Sequence, residues 1–333
     1  MAERVADLVI RTGSRTGAVL CYHGVTTPQA PAAATVHVSL HELVATLSAL
    51  RDSCRIVSLI ELVRRHRSGQ STRGLLAVTF DDAYETVLAI GGVLAALGIP
   101  ATVFPVGEAA GDGRAYWWDR VEDVFPHVAP ARWRQFEEVC GVPKAYRRGQ
   151  PTAFGPLRPF RQWMLAGYQG RWPARLTPFL AELEHDAHRS TVQHSMTWAE
   201  IAELARRAEV HVGVHTLSHP ALPLLPDGDV LHEIAGGFAT ISERSPNPVP
   251  ILAVPYGLGD ERVVQLARAA GMVGCLSLGG TPFGTAAPEW LPRICMSRDL
   301  PIWRLKLRLA GVLDGRSWQG GGDEFPELPS AST

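Results

Sequence analysis

Short, wholly apolar runs alternate with amphipathic stretches along most of the chain. An apolar run bounded by turn residues is typical of a strand that is covered on both faces. Such runs predict strands at 18–23, 75–80, 101–106, 210–214, 251–254 and 273–278. Amphipathic stretches predict helices at 40–52, 58–67, 84–97, 227–243, 260–270 and 301–313, and another that begins at 197.

Polar residues mark where several of these helices begin. Ser39 precedes the first helix, and Ser58 is followed three residues later by Glu61. Thr197 has the same spacing to Glu200. A hydroxyl side chain with an acid three residues later can form a capping box, in which both side chains satisfy backbone N–H groups at the helix start.

The alternation of strands and helices predicts an α/β fold with a parallel sheet, and this many units can close into a barrel. The segment at about 107–196 breaks the alternation with tryptophan, proline and arginine. We interpret it as a large, mostly helical insertion after the third major strand. We expect one barrel domain over 18–313, an N-terminal extension over 1–17 and a flexible C-terminal tail over 314–333.

Composition and charge are those of a soluble globular protein. Hydrophobic residues make up 46% and charged residues 20%, which is enough for a buried core. The formal net charge of −1 argues against a global field that recruits nucleic acid or an anionic membrane. The five cysteines include no C-x-x-C pair, and the N-terminus has no apolar core of signal-peptide length. We therefore expect a reducing, cytoplasmic location.

One stretch imitates a membrane span, because 86–107 is uncharged over a sufficient length. Two adjacent glycines, Gly91 and Gly92, interrupt it, and so does the turn from Gly98 to Pro100. A proline at this point would break a helix. We predict a helix, a turn and a buried strand here, and no membrane span.

Two carboxylates and two imidazoles follow predicted strands at distant positions. One buried strand leads into Asp81 and Asp82, another leads into His215, and His219 comes four residues later. A carboxylate and two imidazoles suit a divalent metal ion with an open coordination position, and the second carboxylate is free to accept a proton. The pattern favours metal-assisted hydrolysis. The alternatives are a helix cap for the carboxylates and a hydrogen-bonded loop for the histidines.

These residues and two further motifs resemble the polysaccharide deacetylase family, also called the NodB homology domain or carbohydrate esterase family 4. The motifs follow the family's order: Leu-Cys-Tyr-His-Gly-Val at 20–25, Thr-Phe-Asp-Asp at 79–82, His-Thr-Leu-Ser-His-Pro at 215–220 and Val-Pro-Tyr-Gly at 254–257. The resemblance covers nearly the whole chain. It implies a deformed (β/α)7-type barrel that removes acetyl groups from N-acetylated sugars.

The resemblance also implies a role for each motif residue. Asp81 would be the catalytic base. One divalent ion would be held by Asp82, His215 and His219, and we expect Zn²⁺, with Co²⁺, Ni²⁺ or Fe²⁺ as alternatives. The backbone around Tyr256 would help to hold the oxyanion.

Substrate contacts are expected from the last motif and from the predicted insertion. The Pro-Tyr pair of that motif would lie next to the substrate, or would simply form a turn. The two adjacent tryptophans of the insertion can stack on a sugar ring or can belong to a core. The Asp-Arg pair that follows them can contact the substrate or can form an ion pair. The residues concerned are Pro255, Tyr256, Trp117, Trp118, Asp119 and Arg120.

The chain departs from the family pattern at two points. Many relatives have an arginine near the last of these motifs that orients the base, and 251–257 contains none. Many also have a late histidine as general acid, and 291–299 contains none. His23 ends the first predicted strand and is our candidate for the acid, since an imidazole pKa lies near working pH. Asp119 is a second candidate, and Arg293 is interpreted as structural.

We therefore predict a metal-dependent hydrolase that removes an N-acetyl group from an amino-sugar-containing substrate, such as a cytoplasmic glycan precursor or a glycosylated natural product. One alternative is hydrolysis of another amide, either a cyclic amide or imide or an N-formyl group. Another is a carbohydrate-binding protein without turnover, although a mere binder has no use for the free carboxylate of Asp81. We expect a small-molecule or oligosaccharide partner and no nucleic acid, and the sequence leaves the oligomeric state open.

Overall fold

The computed structural model describes residues 16–26, 36–144, 147, 157–188, 193–207, 209–278, 289–298 and 300–313. The expected C-terminal tail lies outside these residues, and so does the expected N-terminal extension apart from residues 16 and 17. The first fifteen residues and the last twenty are therefore not part of the description that follows.

Seven parallel strands form a closed barrel. They are β1 (Ala18–Tyr22), β2 (Leu75–Asp81), β3 (Ala101–Phe104), β4 (Val210–Val214), β5 (Pro248–Ala253), β6 (Gly274–Leu278) and β7 (Trp290–Cys295). Around the barrel the order is β1-β7-β6-β5-β4-β3-β2, and the barrel closes because β2 also pairs with β1. Short strands lie at Val25–Thr26, Val38–Ser39 and Arg55–Ile56. The predicted α/β barrel is confirmed.

Helices follow most of the strands. They are α1 (Leu40–Arg51), α2 (Leu59–Arg67), α3 (Glu85–Ala89), α4 (Gly91–Leu97), α5 (Gly107–Asp112), α6 (Trp117–Val124), α7 (Pro130–Val139), α8 (Arg158–Tyr168), α9 (Thr177–Asp186), α10 (Trp198–Arg207), α11 (Asp227–Arg244), α12 (Glu261–Ala269) and α13 (Ile302–Leu309). Short 3-10 helices lie at Phe125–His127, Ala174–Leu176, Leu222–Leu224 and Pro255–Gly257. The capping box predicted at Thr197 with Glu200 forms. At Ser58 the hydroxyl accepts from the N–H of Glu61, as a simple cap does. The predicted cap Ser39 forms a full capping box with Glu42.

Two local predictions differ from the structure. The helix predicted over 84–97 is divided into α3 and α4 at Ile90, where two glycines follow and weaken helix propensity. The strand β7 was not predicted, because Pro292 interrupts its apolar run and proline is rare in paired strands. The uncharged stretch at 86–107 forms short helices and β3, and no helix within the described ranges has the length and hydropathy of a membrane span.

The barrel strands are covered on both faces. A hydrophobic cluster inside the barrel includes Val19, Ala77, Phe104 and Leu276, all fully buried. A larger cluster fills the space between the strands and the surrounding helices. Burial on both faces explains why the strands are apolar throughout, and polar side chains are therefore concentrated where the strands end.

The chain between β3 and β4 contains the helices α5 to α10 within the residues that the structure describes. Its helices α6 to α9 enclose a hydrophobic cluster of their own, with Trp133 and Phe160 almost fully buried at its centre. A separate cluster of this kind gives the segment a rigid support beside the barrel mouth. That the segment is an insertion relative to other barrels stays a prediction.

Candidate metal and catalytic site

Three predicted ligands meet where β2 and β4 end. Asp82 follows the last residue of β2, and His215 follows the last residue of β4. The Oδ1 atom of Asp82 lies 3.5 Å from Nε2 of His215 and 3.6 Å from Nε2 of His219. One ligand atom from each residue falls within 4.8 Å of the others. The barrel therefore brings together residues that are more than a hundred positions apart in the sequence.

The backbone at this point is unusual for residues other than glycine. Asp82 has φ 63°, Thr216 has φ 66° and His219 has φ 60°. A left-handed conformation turns the carboxylate of Asp82 away from the strand direction, so that Asp81 and Asp82 face different partners. Such conformations persist only where surrounding contacts hold them, and they cluster at functional sites.

A backbone carbonyl orients His215. Its Nδ1 lies 2.7 Å from the carbonyl oxygen of Ala253, at the end of β5. An N–H at this position donates to the carbonyl, which leaves Nε2 as the nitrogen with a free lone pair toward Asp82. A second hydrogen bond of this kind is the usual support for a histidine that binds a metal.

The residues present fit a divalent ion. The Oδ1 atom of Asp82 is buried and has no hydrogen-bond partner among the described residues. The two histidine nitrogens that face it are at distances longer than an ordinary hydrogen bond. A buried carboxylate oxygen of this kind is costly unless a cation satisfies it. The donor set of one carboxylate and two imidazoles suits Zn²⁺ and similar ions.

Asp81 lies beside this group and is held by an arginine. Arg293, fully buried in β7, donates from Nη1 to Oδ1 and from Nη2 to Oδ2, both at 2.7 Å. Burial opposes ionisation of Asp81, but the guanidinium charge outweighs it and holds the pKa well below its usual range. Asp81 is therefore ionised at neutral pH. Since both its oxygens already face one cation, Asp82 is the better metal ligand of the two.

The remaining neighbours of Asp81 come from the end of β1. The thiol of Cys21 donates to Oδ2 of Asp81 over 3.4 Å. A ring nitrogen of His23 lies within 4.8 Å of that thiol and of the Asp81 carboxylate. Burial lowers the pKa of His23, although the charges of Asp82 and Asp81 oppose this. The predicted acid and the predicted base therefore lie at the same barrel mouth.

The two histidines have opposite electrostatic tendencies. Burial disfavours the charged form of His215, but the adjacent carboxylates of Asp81 and Asp82 outweigh it and raise its pKa. For His219, burial and then the neighbouring His215 lower the pKa to about 3. A proton on one ring disfavours a proton on the other, so His219 keeps its neutral, metal-binding form.

Aromatic side chains line one side of the ligand group. The half-buried ring of Trp118 lies 4.7 Å from that of His219, centroid to centroid, and stacks on Tyr116. The ring of Tyr256 lies 4.7 Å from that of His219 and 6.4 Å from that of Trp118, and its hydroxyl donates to the carbonyl of Gly170. The ring of Trp118 therefore lies directly beside a predicted metal ligand.

The other predicted substrate contacts have partners within the protein. Trp117 is buried in the cluster of the helical segment, and Pro255 is buried after β5. Asp119 accepts a 2.6 Å hydrogen bond from Tyr84 and faces His37, and Arg120 forms a bidentate ion pair with a glutamate of α9. The structure brings neither member of this Asp-Arg pair into contact with the metal-site residues.

Arg293, which we interpreted from the sequence as structural, is bound to the predicted base Asp81. No arginine lies near the Val-Pro-Tyr-Gly motif at 254–257, yet β7 supplies one to the carboxylate of Asp81. The signal was a single arginine within a short apolar run, Leu-Pro-Arg-Ile-Cys. Such a charge is buried only when it is paired, and a strand assignment at this position would have pointed to a carboxylate partner.

Comparison with protein families supports the motif assignment. The polysaccharide deacetylase family model matches residues 167–275. This range contains His215, His219 and Tyr256, and it begins after Asp81 and Asp82. No curated protein matches the chain.

Solved structures share the fold at low sequence identity. The Streptococcus pyogenes deacetylase PplD in complex with acetate has a TM-score of 0.56 and 11% identity, over 88% of this chain and 98% of that one. IcaB from Ammonifex degensii has a TM-score of 0.54 and 18% identity, over 89% and 97%. A de-N-acetylase from Aggregatibacter actinomycetemcomitans has a TM-score of 0.52 and 15% identity, over 88% and 99%. Together with the family match, they confirm the resemblance drawn from the motifs.

Proposed function

We propose, from this resemblance to the polysaccharide deacetylases in motif and fold, that the protein is a metal-dependent hydrolase that removes an N-acetyl group from an amino-sugar-containing substrate. The family match and the shared fold support N-deacetylase activity in general. The observation that carries the proposal is the convergence of Asp82, His215 and His219 beside an ionised, arginine-held Asp81.

The division of labour follows from the contacts. Asp82, His215 and His219 would hold the ion, which when bound lowers the pKa of water and polarises the amide carbonyl. Asp81 accepts the proton of the attacking water molecule, and Arg293 keeps its carboxylate ionised and oriented for this purpose. We expect the backbone around Tyr256 to hold the developing oxyanion, as the resemblance implies, and the contact of the Tyr256 ring with His219 supports this expectation.

The leaving amine needs a proton, because an amide anion is a very poor leaving group. His23 is our candidate for the donor, since it lies at the same mouth as Asp81 and its Nδ1 has no hydrogen-bond partner among the described residues. An imidazole can carry a proton at working pH and deliver it over one hydrogen bond. Asp119 is the less suitable candidate, because Tyr84 and His37 already surround its carboxylate.

The aromatic side chains beside the site support a sugar as the substrate. Trp118 offers a half-buried ring beside His219, and apolar faces of sugar rings pack well on such rings. That the substrate is a cytoplasmic precursor, rather than another acetylated amino sugar, stays a prediction from the sequence. Acetate is the expected product, and the PplD structure contains acetate.

The test is an assay of the purified, Zn²⁺-supplied protein with a panel of N-acetylated amino sugars and oligosaccharides, N-formyl analogues and cyclic imides. We expect acetate and a free amine in equal amounts, detected by mass spectrometry, and no product after chelation. Formate or a ring-opened product alone would favour another amide hydrolase. Binding without any product would favour a carbohydrate-binding protein.

A further inference from the structure

We propose that Glu233 of α11 is a positioning residue for the metal site, because it holds the loop that carries both histidine ligands. The inference rests on the proposed function, since it assumes that Asp82, His215 and His219 bind a divalent ion. It assigns a role to a residue that lies outside every motif described above.

Glu233 is buried, and its carboxylate is fully occupied by the loop and one arginine. Its Oε2 accepts hydrogen bonds from the backbone N–H groups of Leu217 and Ser218, both at 2.9 Å. Its Oε1 accepts from the hydroxyl of Ser218 and from Nη2 of Arg171, both at 2.6 Å. Leu217 and Ser218 lie between the two ligands in the sequence, so this carboxylate fixes the segment that sets the distance between His215 and His219.

Other hydrogen bonds also hold this loop. The carbonyl of Thr216 accepts from the N–H of Gly107 at 3.1 Å, and that of Leu217 accepts from Glu108 at 2.9 Å. The N–H of His219 donates to the hydroxyl of Thr216 at 3.0 Å. Since Thr216 and His219 have positive φ, the loop conformation depends on such contacts rather than on intrinsic preference.

The helix α11 is shaped to receive this loop. Gly236 lies three residues after Glu233 and so on the same helix face. A Cβ atom added at Gly236 would lie 2.6 Å from Cδ1 of Leu217 and would displace that side chain, and one added at Gly237 would lie 3.3 Å from the carbonyl carbon of Thr216. The missing side chain lets the loop lie against the helix at the distance that the carboxylate of Glu233 can span.

Arg171 completes the arrangement from the helical segment. Its guanidinium balances the buried charge of Glu233, and its Nε also donates to the hydroxyl of Ser218 at 3.1 Å. In the same turn, the carbonyl of Gln169 accepts from the N–H of Ala221 at 2.8 Å, just beyond His219. The helical segment therefore supports the ligand loop through Arg171.

Loss of this support would weaken metal binding because it would displace the rings of the two histidine ligands. A released loop samples conformations in which His215 and His219 no longer converge on Asp82. The apparent metal affinity then falls in proportion to the fraction of molecules whose loop still holds both rings in place. Removal of residues that orient metal ligands typically weakens binding by about 10–100-fold. The same weakening is expected here.

The experiment is a Zn²⁺ titration of the full chain against a competing chelator. Glu233→Ala should bind about 10–100-fold more weakly than the wild type. Arg171→Ala should bind about tenfold more weakly, because one of the carboxylate's four contacts is lost. Glu233→Gln should fall between Glu233→Ala and the wild type, because its amide oxygen can still accept from the backbone. Glu243→Ala is the matched control on the same helix, where the side chain is 73% exposed, and should leave the affinity unchanged.

A folded Glu233→Ala protein with wild-type affinity overturns the inference and leaves the proposed function intact. If Glu233→Ala does not fold, Arg171→Ala decides, and unchanged affinity in that variant overturns the inference. A wild type that binds no divalent ion overturns both. The second readout is the rise in melting temperature that Zn²⁺ causes. This rise should be smaller in Glu233→Ala and Arg171→Ala than in the wild type, whatever the melting temperature of each metal-free protein.

Discussion

Asp81 and Asp82 are neighbours in the sequence but face different parts of the site. Asp81 ends β2 and lies against Arg293, whereas the left-handed backbone of Asp82 directs its carboxylate to the two histidines. In the proposed function, one carboxylate is therefore the base and the other is a metal ligand. Substitutions at the two positions should have different consequences.

Asp81→Asn should retain metal and lose most turnover. The amide cannot accept the proton of the attacking water molecule, and a positioned general base typically contributes about 10²–10⁴-fold to the rate. The measurement is kcat/KM for acetate release together with metal content. A variant with near-normal kcat/KM would exclude Asp81 as the base.

Arg293→Ala should move the acid limb of kcat/KM to higher pH. Burial raises the pKa of Asp81 and the arginine lowers it, so removal of the arginine leaves burial opposed only by the weaker effects of His215 and His23. The base form then disappears at a higher pH than in the wild type. The measurement is the pH profile of kcat/KM, with melting temperature recorded because an unpaired buried carboxylate costs about 3–5 kcal/mol.

Arg293→Lys is the control for this prediction. It keeps a cation near Asp81 without the bidentate geometry, and its acid limb should lie between those of the wild type and Arg293→Ala. Identical acid limbs in all three folded proteins would show that Arg293 does not set the ionisation of Asp81.

His23→Ala should mainly slow the departure of the amine. The effect on kcat should be large for a substrate with a strongly basic amine and small for an aryl amide, whose amine leaves more readily. The acid form of His23 is lost as pH rises through its lowered pKa, so the basic limb of kcat in the wild type should be absent from the variant. If the two pH profiles coincide, the proton comes from another group.

The residues that form the site could be predicted from the sequence, but the contact between Arg293 and Asp81 could not. Strand ends followed by carboxylates or histidines are visible in the chain, and they indicate Asp82, His215 and His219 together. The pairing of Arg293 with Asp81 joins β7 to β2, which lie on either side of β1 and are 212 residues apart at this contact. A single sequence carries no record of that pairing.

At the scale of elements, the hydrophobic pattern predicts every barrel strand except β7. Pro292 suppresses the strand signal there, and the strand exists because it pairs in parallel with β6 and β1 and closes the barrel. Tertiary pairing therefore overrides local preference in this element. The helix starts at Ser39 and Thr197 were visible in the sequence, because capping depends only on neighbouring residues.

The helix α6 places one tryptophan in a core and the next at the site. Trp118→Ala should lower kcat/KM by about 2–10-fold without changing metal affinity, because an aromatic contact contributes about 0.5–1.5 kcal/mol. The measurement is kcat/KM with an N-acetylated amino sugar, and the decrease should come from a higher KM rather than from a lower kcat. Trp303→Ala, with 40% of that residue exposed, is the control. Equal kinetics in the two variants would exclude Trp118 from the substrate contact.

At the scale of the whole molecule, the barrel brings the residues of the site together at one end. Its closure brings the ends of β1, β2, β4, β5 and β7 to one mouth, where Asp81, Asp82 and His215 lie together. The helical segment between β3 and β4 adds Trp118 at one side and Arg171 beneath the ligand loop. The pairing of β2, β3 and β4 brings the three ligands together, and closure between β1 and β2 brings Arg293 of β7 beside Asp81.

The most direct test of this account is the Zn²⁺ stoichiometry and affinity of the wild type and of Asp82→Ala, His215→Ala and His219→Ala, with His232→Ala as a control on exposed α11 surface. We predict one ion per chain in the wild type and the control, and loss of that ion in each of the three variants. Full occupancy at wild-type affinity in any of the three, or a wild type that binds no divalent ion, would contradict the account.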